Sequence, residues 1–250
     1  MKVCLINLDR APERLATATE QLKKLGVEFE RVSAVDGQAM DEKEYRRHVN
    51  RFRSWCVIGR VCNRGEVGCA LSHFAAWGGE TPREVTCVLE DDVLLDPRFK
   101  ATLEAVEKWI DPSRPQIVLL TNHYRDTGLG RWHSGYLSEE GEAFAVEPIA
   151  FDLYAEAYVI TAKAAAAIKK ANYPLITPCD HWERWAKAGL IELYRAKPTV
   201  ASQNKDGFAS SIRQEGTRLV RDLPFHLWLL HKFKRLIGLS IEKFTLLVNA

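Results

Sequence analysis

The stretch KVCLINLDRAPERLATATEQLKKLGVEFERV, residues 2–32, decides the fold class. Lys2 to Leu8 is a short β-branched and aliphatic run, the composition of a buried parallel strand. Pro12 stands where a helix begins, a position at which its missing N–H costs nothing. Leu15, Ala18, Leu22 and Leu25 recur on one helical face, and Gly26 stops the helix. Val27 to Val32 then alternates like a second strand. Strand, helix and strand in this order imply a right-handed crossover and a parallel sheet.

The downstream sequence continues the alternation. Residues 36–64 are polar and irregular, with one short helix expected from about Asp41, and read as an insertion or flap. Asn63 and Glu66 have the spacing of a capping box, which predicts a helix from about Gly65 to Trp77. Strands are expected over Glu84–Leu89, Gln116–Thr121 and Glu156–Ile160, and a helix over Pro97–Ile110 with Leu103, Val106 and Ile110 on one face. Thr161 is placed to cap an Ala-rich helix over 162–171, and the glycine-bearing stretch 122–142 reads as loop or hairpin. The class is α/β, with a mostly parallel sheet flanked by helices.

Composition narrows the function. The chain has 250 residues, a net charge of +2, 46% hydrophobic and 10% aromatic residues, which excludes intrinsic disorder and argues against a nucleic-acid-coating surface. The start carries no secretory signal, and no run of about 18 apolar residues is present to span a membrane. A cytoplasmic protein is therefore expected. Its six cysteines, Cys4, Cys56, Cys62, Cys69, Cys87 and Cys179, then read as reduced thiols. Cys56, Cys62 and Cys69 match no common zinc spacing and read as buried thiols. Walker, GxGxxG, GxSxG and HExxH motifs are absent, which argues against P-loop NTPases, Rossmann dehydrogenases, α/β-hydrolases and zincins.

The chain divides, by sequence, into a main domain over 1–222 and a tail over 223–250. The tail holds Lys232, Lys234, Arg235 and Lys243 against Glu242 alone, and so carries a net +3. Leu229, Phe233, Leu236, Phe244 and Leu247 fall on one helical face of it. This is the pattern of a helix lying on an anionic membrane surface, or of one packed on the main domain or a second subunit.

Four clusters carry chemistry. Glu90-Asp91-Asp92 follows a predicted strand, where open α/β sheets bind ligands, and strand alternation would let Glu90 and Asp92 face together. Two oxygens on one side suit Mg²⁺ or Mn²⁺; an exposed turn or a capping cluster gives the same letters. Gly65-Glu66-Val67-Gly68-Cys69-Ala70-Leu71-Ser72-His73 places two glycines and a histidine at a helix start, a ready anion site or simply a capped helix. Asn7-Leu8-Asp9-Arg10 with Arg14 puts two arginines four apart near the end of the first strand, within reach of a diphosphate or of Asp9 and Glu13. Thr177-Pro178-Cys179-Asp180-His181-Trp182-Glu183 sets acids beside Trp182 and Trp185, a pattern that holds sugars or caps a helix.

In order along the chain, Ile6-Asn7-Leu8-Asp9-Arg10 with Arg14, Ala34-Val35-Asp36-Gly37, Gly65-Glu66-Val67-Gly68-Cys69 with Leu71-Ser72-His73, and Leu89-Glu90-Asp91-Asp92-Val93 resemble glycosyltransferase family 25. Ala157-Tyr158-Val159-Ile160 and Asp180 look like its downstream elements, and the resemblance covers roughly residues 1–212. That family holds bacterial lipopolysaccharide and lipooligosaccharide galactosyltransferases and the domains that add galactose to collagen hydroxylysine.

The resemblance implies a GT-A-like, Rossmann-type fold and an inverting, metal-assisted transfer from a UDP-sugar, most often UDP-galactose, to a glycan or lipid-linked oligosaccharide. On that reading Asp92, with Glu90 as second ligand or ribose contact, would hold Mn²⁺ or Mg²⁺, and Arg10 or Arg14 would add cationic donors to the diphosphate. Asn7, Leu8 and Asp36 fall to the uridine end, and Ser72 and His73 to the donor side. Asp180 becomes the base that takes the acceptor proton, with Glu183 and Asp91 behind it. Glu-Asp-Asp departs from a strict Asp-x-Asp. A metal-dependent nucleotidyl- or phosphotransferase, or a non-catalytic nucleotide-sugar-binding protein, would use the same residues.

Overall fold

The computed structural model describes residues 1–78, 84–121, 134–137, 143–149 and 155–204. The expected tail helix over 223–250 lies outside them, as do parts of the 122–142 loop. The described chain forms two compact units. One holds 1–35, 69–171 and 179–204; the other holds 36–68 and 172–178.

The first unit opens with β1 (Lys2–Asn7), α1 (Pro12–Lys24) and β2 (Glu30–Ser33), with Pro12 in the first turn of α1 as the sequence requires. Ala18 and Leu22 of α1 are buried, with Leu15 and Leu25 packed at their edge. The second unit carries α2 (Glu42–His48) and α3 (Arg51–Ile58), capped by Asp41 and Asn50 side chains that accept from Glu44 N at 2.8 Å and Arg53 N at 3.0 Å. Sequence reading anticipated only the first of these helices. The second hides because Trp55 and Val57 are its buried apolar contacts, too few for a periodic stripe. Next come α4 (Arg64–Ala76), β3 (Val85–Glu90), β4 (Val93–Leu95), α5 (Phe99–Trp109) and β5 (Gln116–Leu119). The chain continues through β6 (Ser134–Leu137), β7 (Ala143–Pro148), β8 (Ala157–Thr161), α6 (Ala162–Asn172), α7 (Trp182–Lys187), β9 (Glu192–Lys197) and β10 (Ala201–Gln203).

Eight strands make one sheet in the order β2-β1-β3-β8-β5-β9-β7-β6. The crossover expected from residues 2–32 is present: β1 pairs parallel with β2 and with β3, in register Ile6↔Val32 and Ile6↔Glu90. Beyond β3 the sheet becomes mixed. β8 runs antiparallel to both β3 and β5, β5 and β9 are parallel, and β7 is antiparallel to β9 and β6. The described residues bear out an α/β sheet flanked by helices. Antiparallel β8 escapes the sequence because a fully buried strand reads the same in either direction. β10 and β4 form a separate antiparallel pair, Gln203 facing Val93. The core beneath the main sheet joins Leu5, Leu22, Leu89, Phe99, Val106, Val118 and Val159. Phe99 and Val106 of α5 are fully buried there, as its amphipathic spacing requires.

The start of α4 confirms the reciprocal cap. Glu66 N donates to Asn63 Oδ1 at 2.8 Å and Asn63 N donates to Glu66 Oε2 at 2.8 Å. Arg60 adds a fork onto Glu66 at 2.7 and 2.5 Å. Gly37, in the single turn of 3₁₀ helix over Gly37–Ala39, approaches this helix start so closely that a Cβ would lie 1.8 Å from the Arg64 carbonyl oxygen. Backbone cannot yield by that amount, so Gly37→Ala is expected to destabilise the protein by about 3 kcal/mol through overpacking. Urea unfolding checks it; an unchanged midpoint would refute the close approach.

Candidate functional site

Asn7 ends β1 and Glu90 ends β3, so the two neighbouring parallel strands deliver polar side chains to one edge of the sheet. Asp91 and Asp92 follow in the turn before β4, where strand alternation no longer sets their directions. Asn7 is 1% exposed and fully engaged. Its Nδ2 donates to Asp91 Oδ2 at 2.7 Å and to Ala11 O at 3.0 Å, and its Oδ1 accepts from Arg31 Nε at 3.2 Å and Nη2 at 3.0 Å. Arg14 reaches from α1 to donate from Nη1 to Asp91 Oδ1 at 3.1 Å, and lies 3.9 Å from Asp92 Oδ2. Asp91 is therefore held on both oxygens by a neutral and a charged donor. This arrangement suits a positioning group better than a proton acceptor.

Asp92 is in a different state. Oδ2 accepts from Gln203 Nε2 at 3.3 Å, while the buried Oδ1 has no hydrogen-bond partner among the described residues. Burial first, and the Glu90 charge second, push its pKa up to about 6 against the pull of Gln203 and Arg14. The carboxylates of Glu90 and Asp92 thus sense each other, although the turn rather than the strand brings them together. β10 secures the turn, with Asn204 N donating to the Asp92 carbonyl at 2.8 Å.

Glu90 Oε1 pairs with His73 Nε2 at 3.2 Å. On the other side of the ring, Nδ1 meets Tyr158 Oη at 2.7 Å, and that oxygen also accepts from Trp77 Nε1 at 2.7 Å. Burial alone would lower the His73 pKa, but the Cys69 and Glu90 charges outweigh it and push it up to about 10. Cys69, four residues before His73 on α4, touches Cys179 with 3.8 Å between sulfurs. A hydrogen bond from Cys179 holds the Cys69 thiol below its usual range, and its partner is driven well above it.

A family model described as glycosyltransferase family 25 (LPS biosynthesis protein) matches residues 1–182. The chain belongs to glycosyltransferase family 25. It is similar to procollagen galactosyltransferase 2 of Mus musculus, 30% identical over 125 residues, or 45% of this chain and 19% of the relative. A glycosyltransferase 25 family member of Drosophila pseudoobscura pseudoobscura is 32% identical over 104 residues, 40% of this chain and 17% of the relative. The putative glycosyltransferase R655 of Acanthamoeba polyphaga mimivirus is 27% identical over 173 residues, 66% of this chain and 51% of the relative. The chain thus spans between 17% and 51% of the length of these relatives.

Within this family 25 chain, the structure brings together Asn7, Arg14, Glu90, Asp91, Asp92 and His73. The other expected residues have more local surroundings. Arg10 is exposed, and the Leu8 carbonyl accepts from Ala11 N at 2.9 Å. Ser72 Oγ accepts from Val35 N at 2.8 Å, tying the chain after β2 to α4. Asp36 belongs to the second unit, where its side chain accepts from Gln38 N at 3.0 Å. Asp180 is half-buried, and its charge and that of Glu90 both act on Cys179. Glu183, in the first turn of α7, has its buried Oε2 without a partner among the described residues.

Two expectations change. Trp182 is 0% and Trp185 4% exposed, so neither offers an open face to a sugar; Trp182 packs against Tyr158 with ring centroids 5.0 Å apart. The cap position before α7 is His181, not Asp180. Sequence reading also missed Gln203, Arg31, Tyr158 and Trp77 as partners of the family 25 residues. Only the helical spacing of Cys69, His73 and Trp77 hinted at the last.

Proposed function

We propose that this chain transfers a hexose, galactose by preference, from a UDP-sugar to a hydroxyl of a glycan acceptor, with inversion and with the aid of Mn²⁺ or Mg²⁺. The supporting observation is the carboxylate set at the carboxyl ends of β1 and β3, where open α/β sheets bind ligands. Its buried Asp92 Oδ1 lacks a partner among the described residues, and a buried carboxylate oxygen in that state calls for a cation. Asp92 and Glu90 offer the hard oxygen donors that these ions take. When bound, the ion would act as a Lewis acid that stabilises negative charge on the departing UDP.

The chain's own residues carry the rest. Arg14, fixed by Asp91, sets a guanidinium beside Asp92, and the exposed Arg10, in the turn between β1 and α1, would add a second guanidinium toward a diphosphate. Asn7 and Asp91 lock the β1 and β3 ends against each other so that Asp92 keeps its direction. His73, held by Tyr158, orients Glu90. Asp180 takes the proton of the acceptor hydroxyl on the face away from UDP, with Glu183 behind it.

A screen of UDP-sugars with and without EDTA tests this reading. UDP release should be fastest from UDP-galactose and should be lost with the chelator. Consumption of nucleoside triphosphates in place of UDP-sugars would favour a nucleotidyl- or phosphotransferase. No UDP release from any donor would leave a binding protein.

The acceptor in this reading is a lipid-linked oligosaccharide of the lipopolysaccharide type at the inner face of the cytoplasmic membrane. The basic tail over 223–250 would dock the chain on that anionic surface. No helix among the described residues is long and apolar enough to cross a membrane. Anionic vesicles should float the whole chain but not one lacking 223–250; equal flotation would dispose of the docking role.

A further inference from the structure

Cys69, His73 and Cys179 offer three potential ligand atoms that all lie within 4.8 Å of one another. We infer that these three side chains form a zinc site, separate in chemistry from the oxygen site at Asp92, that ties α4 to the segment carrying Asp180. The inference does not depend on the donor or acceptor of the transfer reaction.

Geometry is the first argument. Cys69 and His73 stand four residues apart on α4 and so share one face of the helix. Cys179 arrives from 110 residues further along, immediately before Asp180. The two sulfurs are 3.8 Å apart. A disulfide needs about 2.05 Å. Two thiolates on one tetrahedral zinc, each about 2.3 Å from the ion, are separated by about 3.8 Å.

Donor chemistry is the second. Two sulfurs and an imidazole are a soft set that selects zinc over Mn²⁺ or Mg²⁺, whereas Glu90 and Asp92 offer only hard oxygen. The two sites therefore sort different ions.

The surroundings are the third. His73 is 1% and Cys179 2% exposed, so water does little to solvate charge there. Tyr158 Oη on Nδ1 of His73 fixes the ring, and Trp77 fixes the tyrosine in turn, which is the outer support that metal-bound histidines usually have. With Nδ1 held by Tyr158, zinc would take Nε2, the nitrogen that in the metal-free protein pairs with Glu90 Oε1 at 3.2 Å, so loading would release Glu90 from the ring. Cysteines bind zinc as thiolates, so loading should release protons to solvent.

The test uses the full chain, purified under reducing conditions, stripped of metal and titrated with Co²⁺, then with Zn²⁺ and Mn²⁺. Expected are about one equivalent of cobalt bound, a thiolate-to-cobalt charge-transfer band and the visible bands of a tetrahedral ion. Zinc should displace these bands and Mn²⁺ should not. Cys69→Ser and Cys179→Ser should weaken cobalt binding by at least about 100-fold, Tyr158→Phe by about tenfold, and Cys62→Ser not at all. The titration of the unaltered chain decides the matter even where a variant fails to fold. Absence of the charge-transfer band in the reduced chain would overturn the site. So would a Cys69–Cys179 disulfide in the isolated protein that, once reduced, takes up no cobalt.

Discussion

Asp92→Asn is expected to lower UDP release from UDP-galactose by at least about 10³-fold and, at the same time, to make the metal-free protein more stable. Both effects arise from one oxygen. The buried Asp92 Oδ1 has no donor among the described residues, so in the absence of a cation the ionised side chain is held at a cost. Burial, and then Glu90, raise its pKa from 3.8 to about 6. The folded state therefore keeps the proton longer than the unfolded chain does. Stability is unaffected below about pH 4, falls as the pH rises from there through about 6, and stays reduced above.

Asparagine carries no charge and escapes this loss. Its gain at pH 7 in EDTA should be on the order of 1–3 kcal/mol and should vanish toward pH 4. Urea unfolding at the two pH values measures it. In saturating Mn²⁺ the order should reverse, because the ion stabilises only the carboxylate form. A variant that keeps its activity, or one less stable than the parent at pH 7 in EDTA, would remove Asp92 from the cation site.

Asp180→Asn should reduce transfer to acceptor by roughly 10²–10⁴-fold, the usual contribution of a positioned general base. Donor affinity and the slow hydrolysis of UDP-galactose should remain within a few-fold, because the asparagine keeps the shape of the side chain and the residues proposed for the diphosphate, Arg10 and Arg14, lie on other elements. The split between an intact donor KM and a collapsed kcat for transfer separates a proton acceptor from a structural prop. Asp180 follows Cys179 directly, and its charge and that of Glu90 both act on that sulfur. Transfer within a few-fold of the parent would pass the role to Glu183, whose Oε2 is buried without a partner among the described residues.

Local rules carried much of this reading. Pro12, the Leu15–Leu25 stripe and Gly26 specify α1 without help from the rest of the chain, and Asn63 with Glu66 specifies the start of α4. The acids after β3 were legible as a carboxylate cluster at a sheet edge, because a strand that fills with apolar residues and then ends in three carboxylates must deliver them there. The division of labour among them was not. Asp91 is occupied because Asn7 and Arg14 come to it from β1 and α1, and Asp92 is left wanting because Gln203 reaches only one of its oxygens.

By itself, then, the sequence determined β1, α1, β2, α2, α4, β3, α5, β5, β8 and α6, that the first crossover is parallel, and that carboxylates end β3. These follow from spacings within a few residues, where side-chain periodicity and end-capping act directly on the backbone. Tertiary structure alone decided that β8 runs antiparallel, that Trp182 and Trp185 are core rather than sugar platform, and that Cys179 meets Cys69 and His73. Each of these depends on strand order, which sets what lies across the sheet from a residue and so whether a polar atom finds a partner, a charge or nothing.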